Sequence, residues 1–335
     1  MGVAEDSAGA SEQVAPEMTG GLEPLALAAV RQAAIVAYGW AGRGDGKGAD
    51  GAATEAMRAV LGHVPGCGTV VIGEGEKDNA PMLFNGERVG TDTTPCFDIA
   101  VDPVEGTDLC ADKLPGALTT IAMAGEGKLW SPGPGLYMDK LVVGAGVHDA
   151  IDLRDEPEEI VERVAAALGK PLAEVTVLIL DKKRHVELVE RVRSTGASVR
   201  LPSAGDVAGA LLAAMPDTGV DLLMGVGGTP EGVMAAAAVK ELGGAMQTRL
   251  APQSESESEA LAAAGYSTDE ILELEDLVNG PAIFAATAIT GGTLGLHAPR
   301  RLNGWIHTHS LLVRPGLFRR IVESTPDTSQ TEENT

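Results

Sequence analysis

From residue 151 onward the chain alternates short apolar runs with helical patterns, an order few folds accommodate. VTVLIL (175–180), ASVRLP (197–202) and VDLLMGV (220–226) read as buried strands. Helical stretches follow them at 186–194, DVAGALLAAM and EGVMAAAAVKEL, and an earlier one opens with Pro157-Glu158-Glu159 and closes at Gly169. Strand and helix in strict alternation require right-handed crossovers about a parallel sheet. The second half, 151–322, is therefore expected to be a parallel α/β sheet.

The first half reads differently. An Ala- and Leu-rich helix over 22–36 leads into a glycine-rich loop, GWAGRGDGKGAD, and then a helix, GAATEAMRAVLGHV. Asp50 stands at the mouth of that helix, where an aspartate is a good N-cap as well as a candidate ligand. GTVVIGEGEKD and FDIAVDPVEGTD are each a strand that ends in acids. ALTTIAMAGEGKLW reads as a strand pair, PQSESESEA as a surface loop, and YMDKLVVGAGV as an extension of the first sheet. For AIFAATAIT and WIHTHSLLV, pattern alone leaves open a return to that sheet. These readings place a first α/β domain at 21–150 and a second at 151–322, with polar, disordered arms at 1–20 and 323–335.

Composition narrows the partners. A chain of 335 residues has room for two domains, and 44% hydrophobic content with 3% aromatic residues implies an aliphatic core. A formal charge of -23 excludes the broad basic surfaces that nucleic acids and anionic membranes require. Three irregularly spaced cysteines fit neither a disulfide framework nor a CxxC metal site. No run approaches the roughly 20 apolar residues of a membrane span, and the acidic N-terminus lacks a secretory pattern. The expected compartment is the cytoplasm.

Open α/β sheets bind ligands beyond the carboxyl ends of their strands. The strand ends here carry Glu74 and Glu76, Asp102 and Glu105, Lys182-Lys183-Arg184, Gly205-Asp206, and Gly227-Gly228-Thr229-Pro230-Glu231. The strand bodies carry almost no charge. Asp50, Glu74, Asp102 and Glu105 suit hard, oxygen-ligated cations, Mg²⁺ or Mn²⁺. The basic run suits a phosphate, and the amides after Gly227-Gly228 suit an anion at a helix start. Thr229 is read as the N-cap of that helix, and Glu231 in its first turn fits both a helix-dipole position and a ligand. Carboxylates for metals facing a phosphate site point to phosphoryl transfer or phosphate-ester hydrolysis. GVGGTPEG departs from GxGxxG at Pro230, and the P-loop, EF-hand and HExxH patterns are absent. His307 and His309 share one strand face, read as polar surface rather than a metal pair. Tyr137 alone reads as packing.

DPVEGT resembles the signature of the lithium-sensitive, metal-dependent sugar and inositol phosphatases. GRGD, ADGAA, VIGEGEKDNAPML, DIAVDPVEGT, YMDKL, Arg184-His185, GDVA and GGTPEGV occur in the order seen in class II fructose-1,6-bisphosphatases, over about 22–321. The resemblance implies a two-domain, layered αβαβα fold and metal-dependent release of the 1-phosphate of fructose 1,6-bisphosphate. It implies one metal on Asp50 and Glu74 and another on Asp102, Glu105 and Glu231. It further implies that Thr107, with a carboxylate of the cluster, orients water. Glu105-Gly106-Thr107, Tyr137, Lys182 to Arg184, Gly205-Asp206 and Gly228 would contact the substrate, Asp78 would stand near the metals, and the chain would be a dimer or tetramer. Ala204 and Gly116 depart from the family pattern, which has Asp and Asn at these places. The alternatives are a phosphatase for another substrate, such as sedoheptulose 1,7-bisphosphate, a nucleotide-sugar precursor or an inositol phosphate, and a protein that binds cations or sugar phosphates without turnover.

Overall fold

The computed structural model describes residues 14–73 and 82–327. Along the first part of the chain lie α1 (Val14–Tyr38), α2 (Gly46–Leu61), β1 (Cys67–Ile72), β2 (Arg88–Val89), β3 (Cys96–Glu105), α3 (Thr107–Ala111), β4 (Leu118–Gly125) and β5 (Tyr137–Val143). Next come α4 (Pro157–Leu168), β6 (Thr176–Leu178), α5 (Val186–Ser194), β7 (Ser198–Arg200), α6 (Asp206–Ala214), β8 (Leu222–Gly228), α7 (Thr229–Glu241) and β9 (Ala245–Leu250). The chain ends with α8 (Glu255–Ala263), β10 (Leu272–Glu273), α9 (Leu274–Leu277), β11 (Ala282–Ala288), β12 (Arg300–Leu302), β13 (Trp305–Arg314) and β14 (Leu317–Pro326).

Among the described residues the strands form two sheets. The first has the order β12-β13-β11-β4-β3-β1-β2, with β14 also paired to β13, and the second β10-β9-β5-β8-β6-β7. Side-chain alternation turns these sheets into five layers. Ile99 and Val101 of β3, Ile121 and Met123 of β4, and Ile283 and Ala285 of β11 pack under α1 and α2. The opposite residues, Ala100, Ala122, Phe284 and Ala286, meet α6 and α7, whose other side packs on Met138, Val142 and Leu223 of the second sheet. The far face of that sheet, with Leu141, Val143, Leu222 and Met224, is covered by α4 and α5. The order is helix, sheet, helix, sheet, helix, the expected αβαβα arrangement. Small residues let the layers approach closely: α1 buries Ala26, Ala29, Ala33 and Ala37, and α7 buries Ala235 to Ala238.

Several local expectations need correction. α1 begins at Val14 rather than at 22, so part of the segment read as a disordered arm is helical. α2 begins at Gly46, capped by Asp45, whose Oδ1 accepts a 2.8 Å bond from the Gly48 amide. Asp50 therefore lies one turn inside the helix and is not its cap. Gly228, not Thr229, is the N-cap of α7. ALTTIAMAGEGKLW supplies one strand, β4, and Leu129 makes an isolated bridge to Val278 instead of a hairpin. β5 joins the second sheet, antiparallel to both β8 and β9, so the parallel part of that sheet is confined to β7-β6-β8. β5 is covered on both faces, and an unbroken apolar tail (LVV) carries no mark of which sheet it enters. The strands β11 to β14 lie in the first sheet. On β13, His307 Nδ1 is 2.7 Å from Ser324 Oγ, and His309 meets His297 edge to face at 4.8 Å.

PQSESESEA is largely the helix α8. Ser254 caps it, and the buried Glu257 explains its placement. One Glu257 oxygen accepts from the amides of Leu136 (2.7 Å) and Tyr137 (3.0 Å), the other from Gln253 (2.8 Å). A periodicity argument cannot find a helix anchored by an acid. Glu257→Ala removes the acceptor of all three amides, which are partly shielded from water, and is expected to cost about 2 kcal/mol of stability. Denaturant unfolding checks this, and a loss below about 0.5 kcal/mol, the range of an ordinary surface substitution, contradicts it.

Candidate active site

A cleft of about 540 Å³ opens between the two sheets, where β3 ends and α3, α6 and α7 begin. The turn DPVEGT builds its acidic wall. β3 and β4 pair in register as far as Asp102↔Thr120 and resume at Glu105↔Leu118, so a bulge falls at Pro103-Val104. Without the bulge, Asp102 and Glu105 would point to opposite faces; the extra residue turns both into the cleft. Gly106 then adopts φ 82, a left-handed conformation suited to glycine, and caps α3. Thr107 follows, its hydroxyl donating to the Val104 carbonyl at 3.1 Å.

Glu231 arrives from the first turn of α7, where a carboxylate suits the helix dipole. Asp102, Glu105 and Glu231 each offer an oxygen, and these oxygens lie within 4.8 Å of one another. Glu231 Oε2 is buried without a hydrogen-bond partner among the described residues. Gly228 makes room for it, because a Cβ there would stand 1.8 Å from that oxygen. Burial, followed by repulsion from Glu231 and Asp206, pushes the Glu105 carboxyl up to about 7. The Val207 amide, 3.0 Å away, and Asp102 oppose that rise only in part. Three converging carboxylates, one orphaned oxygen and an acid resisting ionisation are what a hard divalent cation relieves.

The same cleft also carries positive charge. Lys182 and Arg184 line the cleft, whereas the exposed Lys183 does not. Arg184 donates to the Val226 carbonyl at 3.0 and 2.9 Å and lies 5.1 Å over the Tyr137 ring. His185 holds the 3₁₀ turn at Lys183–His185 from beneath: Nδ1 donates to the Leu180 carbonyl at 2.7 Å and Nε2 accepts from the Val226 amide at 2.9 Å. That pattern requires the neutral ring, and burial lowers the His185 pKa accordingly. Tyr137, Gly205, Asp206 and Gly228 also line the cleft.

The structure thus brings together Asp102, Glu105, Gly106, Thr107, Glu231, Tyr137, Lys182, Arg184, Gly205, Asp206 and Gly228. Asp50 lines the same cleft but is not one of the three clustered acids. Glu74, Glu76 and Asp78 lie outside the described residues. Asp98, in the same acidic stretch of sequence, serves the fold instead: it is buried and accepts from the amides of Lys128 (2.8 Å) and Leu129 (3.0 Å). Sequence reasoning missed Lys47 and Asn85, which line the cleft. Lys47 lies in the first turn of α2, at the end of the glycine-rich GRGDGKGAD stretch, and could have been flagged there. Asn85 accepts from the Gly73 amide at 2.9 Å, a pairing without a sequence signal.

Residues 22–325 match the family described as bacterial fructose-1,6-bisphosphatase, glpX-encoded. Fructose-1,6-bisphosphatase class 2 of Haemophilus influenzae is 43% identical over 296 residues, spanning 84% of this chain and 88% of that one. Fructose-1,6-bisphosphatase 1 class 2 of Escherichia coli K12 shows the same identity and coverage. With the family's pattern running through nearly all the layers that build the cleft, the chain belongs to the glpX-encoded bacterial fructose-1,6-bisphosphatase family.

Proposed function

We propose that the chain hydrolyses the 1-phosphate of fructose 1,6-bisphosphate to fructose 6-phosphate and inorganic phosphate, with Mn²⁺ or Mg²⁺ as cofactor. The observation that carries this reading is the cluster of Asp102, Glu105 and Glu231 in one cleft with Lys182 and Arg184. Asp102, Glu105 and Glu231 hold one cation in this reading, and Asp50 with Glu74 the other. When bound, such cations polarise phosphoryl oxygens and lower the pKa of water.

The chain's own residues do the rest. The Thr107 hydroxyl donates its hydrogen bond to the Val104 carbonyl, which leaves its lone pairs to orient the attacking water together with a carboxylate of the cluster. Lys182 and Arg184 hold the distal phosphate, and Arg184 is kept in place by Val226 and Tyr137. Asp206, Gly205 and Gly228 meet the sugar. Fixing the non-reacting end in this way positions the reacting one. Sugar-phosphate metabolism is the setting, gluconeogenesis in the cytoplasm the proposed place, and a homodimer or homotetramer the proposed assembly. No described helix is long and apolar enough to cross a membrane.

One observation favours a second reading, a related phosphatase for a different sugar phosphate. A cavity of about 140 Å³ adjoins the cleft at Ala204 and Gly205, and Gly116 also lines it. Both departures from the family pattern border this space. Phosphate release from fructose 1,6-bisphosphate, sedoheptulose 1,7-bisphosphate, inositol 1-phosphate and nucleoside monophosphates tests the choice. Fructose 1,6-bisphosphate is expected to give the highest kcat/KM. A heptulose bisphosphate turned over faster would place the specificity at Ala204.

A further inference from the structure

Lys140 is a charged residue where the fold has room for an apolar one. It lies on β5, the strand between β8 and β9, with Met138 and Val142 on the same face toward α6 and α7. Its side chain is 1% exposed. The ammonium pairs with the Asp206 carboxylate and donates to the Gly228 carbonyl at 2.6 Å. Asp206 is the first residue of α6, and Gly228 is the N-cap of α7. One side chain therefore ties together the starts of two helices that both face the cleft.

The surroundings are cut to fit this tie. A Cβ on Gly227 would stand 2.0 Å from the Asp206 carboxylate, and one on Gly232 would stand 2.3 Å from Met138 Sδ and 3.5 Å from Lys140 Nζ. From these two anchors the effect reaches the acids of the site. Val207, next to Asp206, donates to Glu105. Gly228 carries the Glu231 carboxylate against its backbone. A buried ion pair of this kind adds little stability over a well-packed apolar residue of similar size. What it adds is a fixed geometry, and a cation against the Asp206 carboxylate.

We propose that Lys140 is a positioning residue for substrate binding: by holding the Asp206 carboxylate and the Gly228 carbonyl together, it sets the sugar-facing Asp206 in register with the metal-facing Glu231. Lys140 lies beneath the cleft lining and acts through these two groups. The inference rests on the proposed phosphatase reading, which native turnover of fructose 1,6-bisphosphate tests separately.

The experiment compares Lys140→Met, close in length and uncharged, with Lys140→Gln, which keeps a donor. KM and kcat are measured for fructose 1,6-bisphosphate, and its Kd is measured by calorimetry on the Thr107→Ala background, which reads binding without turnover. Lys140→Met is expected to raise KM and Kd by about tenfold or more while kcat changes less than about threefold, and Lys140→Gln to recover part of the loss. Asp206→Asn, which weakens binding alone, is expected to add less than about twofold in the Lys140→Met background, because the two residues act as one unit. Effects that multiply independently, or a lower Tm with KM and Kd unchanged, would overturn the proposal. So would failure of both Lys140 variants to fold, since the residue would then serve the fold alone. A native chain that leaves fructose 1,6-bisphosphate intact would instead overturn the phosphatase reading, and the Kd comparison would still decide the role of Lys140.

Discussion

Glu231→Gln is expected to remove metal-dependent turnover and, at the same time, to stabilise the metal-free protein. The two effects have one cause. In the metal-free fold the Glu105 carboxyl is pushed from its usual value near 4.5 to about 7, first by burial and then by Glu231. A group whose folded pKa is raised contributes stability that is full below its unfolded pKa and lost as pH rises through the folded one. Here the window runs from about 4.5 to about 7, and the loss is on the order of 3 kcal/mol. Neutralising position 231 lets Glu105 ionise at lower pH, so the metal-free variant is expected to melt several degrees above the native chain at pH 8 and close to it at pH 5. Metal affinity falls by about 100-fold or more, because one of three clustered carboxylates is gone. Melting curves at the two pH values, with and without Mn²⁺ or Mg²⁺, check both halves. A metal-free variant less stable than the native chain at pH 8 contradicts the account.

The same linkage governs the native protein. Glu105 must lose its proton to act as a ligand, so cation binding releases protons and competes with them. The rise in Tm on adding Mg²⁺ or Mn²⁺ is therefore expected to grow from pH 5 to pH 8. A rise independent of pH would remove Glu105 from the ligand set.

Thr107→Ala is expected to lower kcat by about 10²- to 10⁴-fold, with KM changed less than about threefold. The hydroxyl sits at the N-terminus of α3 and is held by the Val104 carbonyl, while the methyl group packs against Gly46, where a Cβ would stand 2.8 Å from Thr107 Cγ2. The methyl group positions the hydroxyl, so Thr107→Ser is expected to recover part of the rate. Binding of metal and of fructose 1,6-bisphosphate is expected to persist in Thr107→Ala. Full activity of that variant would show that water is oriented by another group.

The site was legible where local chemistry announces itself. Asp102, Glu105, Gly106 and Thr107 lie within one turn, and the bulge that turns the two acids to one side is a property of that turn. Glu231 was legible as an acid at a helix start, although its partners lie more than a hundred positions away. Lys182 and Arg184 were readable as a basic strand end; Lys183 belongs to the same run but does not line the cleft, and nothing local separates it from them. What stayed hidden depends on distant pairings. β5 has apolar residues on both faces, so nothing local tells one sheet from the other. Glu257 and Lys140 are charged residues buried by partners on other elements, and solvated turns carry the same residue types. Asp98 belongs to the acidic stretch by sequence and to the core by structure.

The measurement that tests the central claim most directly is phosphate release from fructose 1,6-bisphosphate with Mn²⁺, with Mg²⁺, with chelator, and after the cation is restored. The sugar product is identified in each case, and Asp102→Asn is run beside the native chain. The account predicts turnover to fructose 6-phosphate that chelator abolishes, that either cation restores, and that Asp102→Asn lacks. Turnover that survives chelator, or a folded native chain that binds the cation and releases phosphate from none of the sugar phosphates, would contradict it.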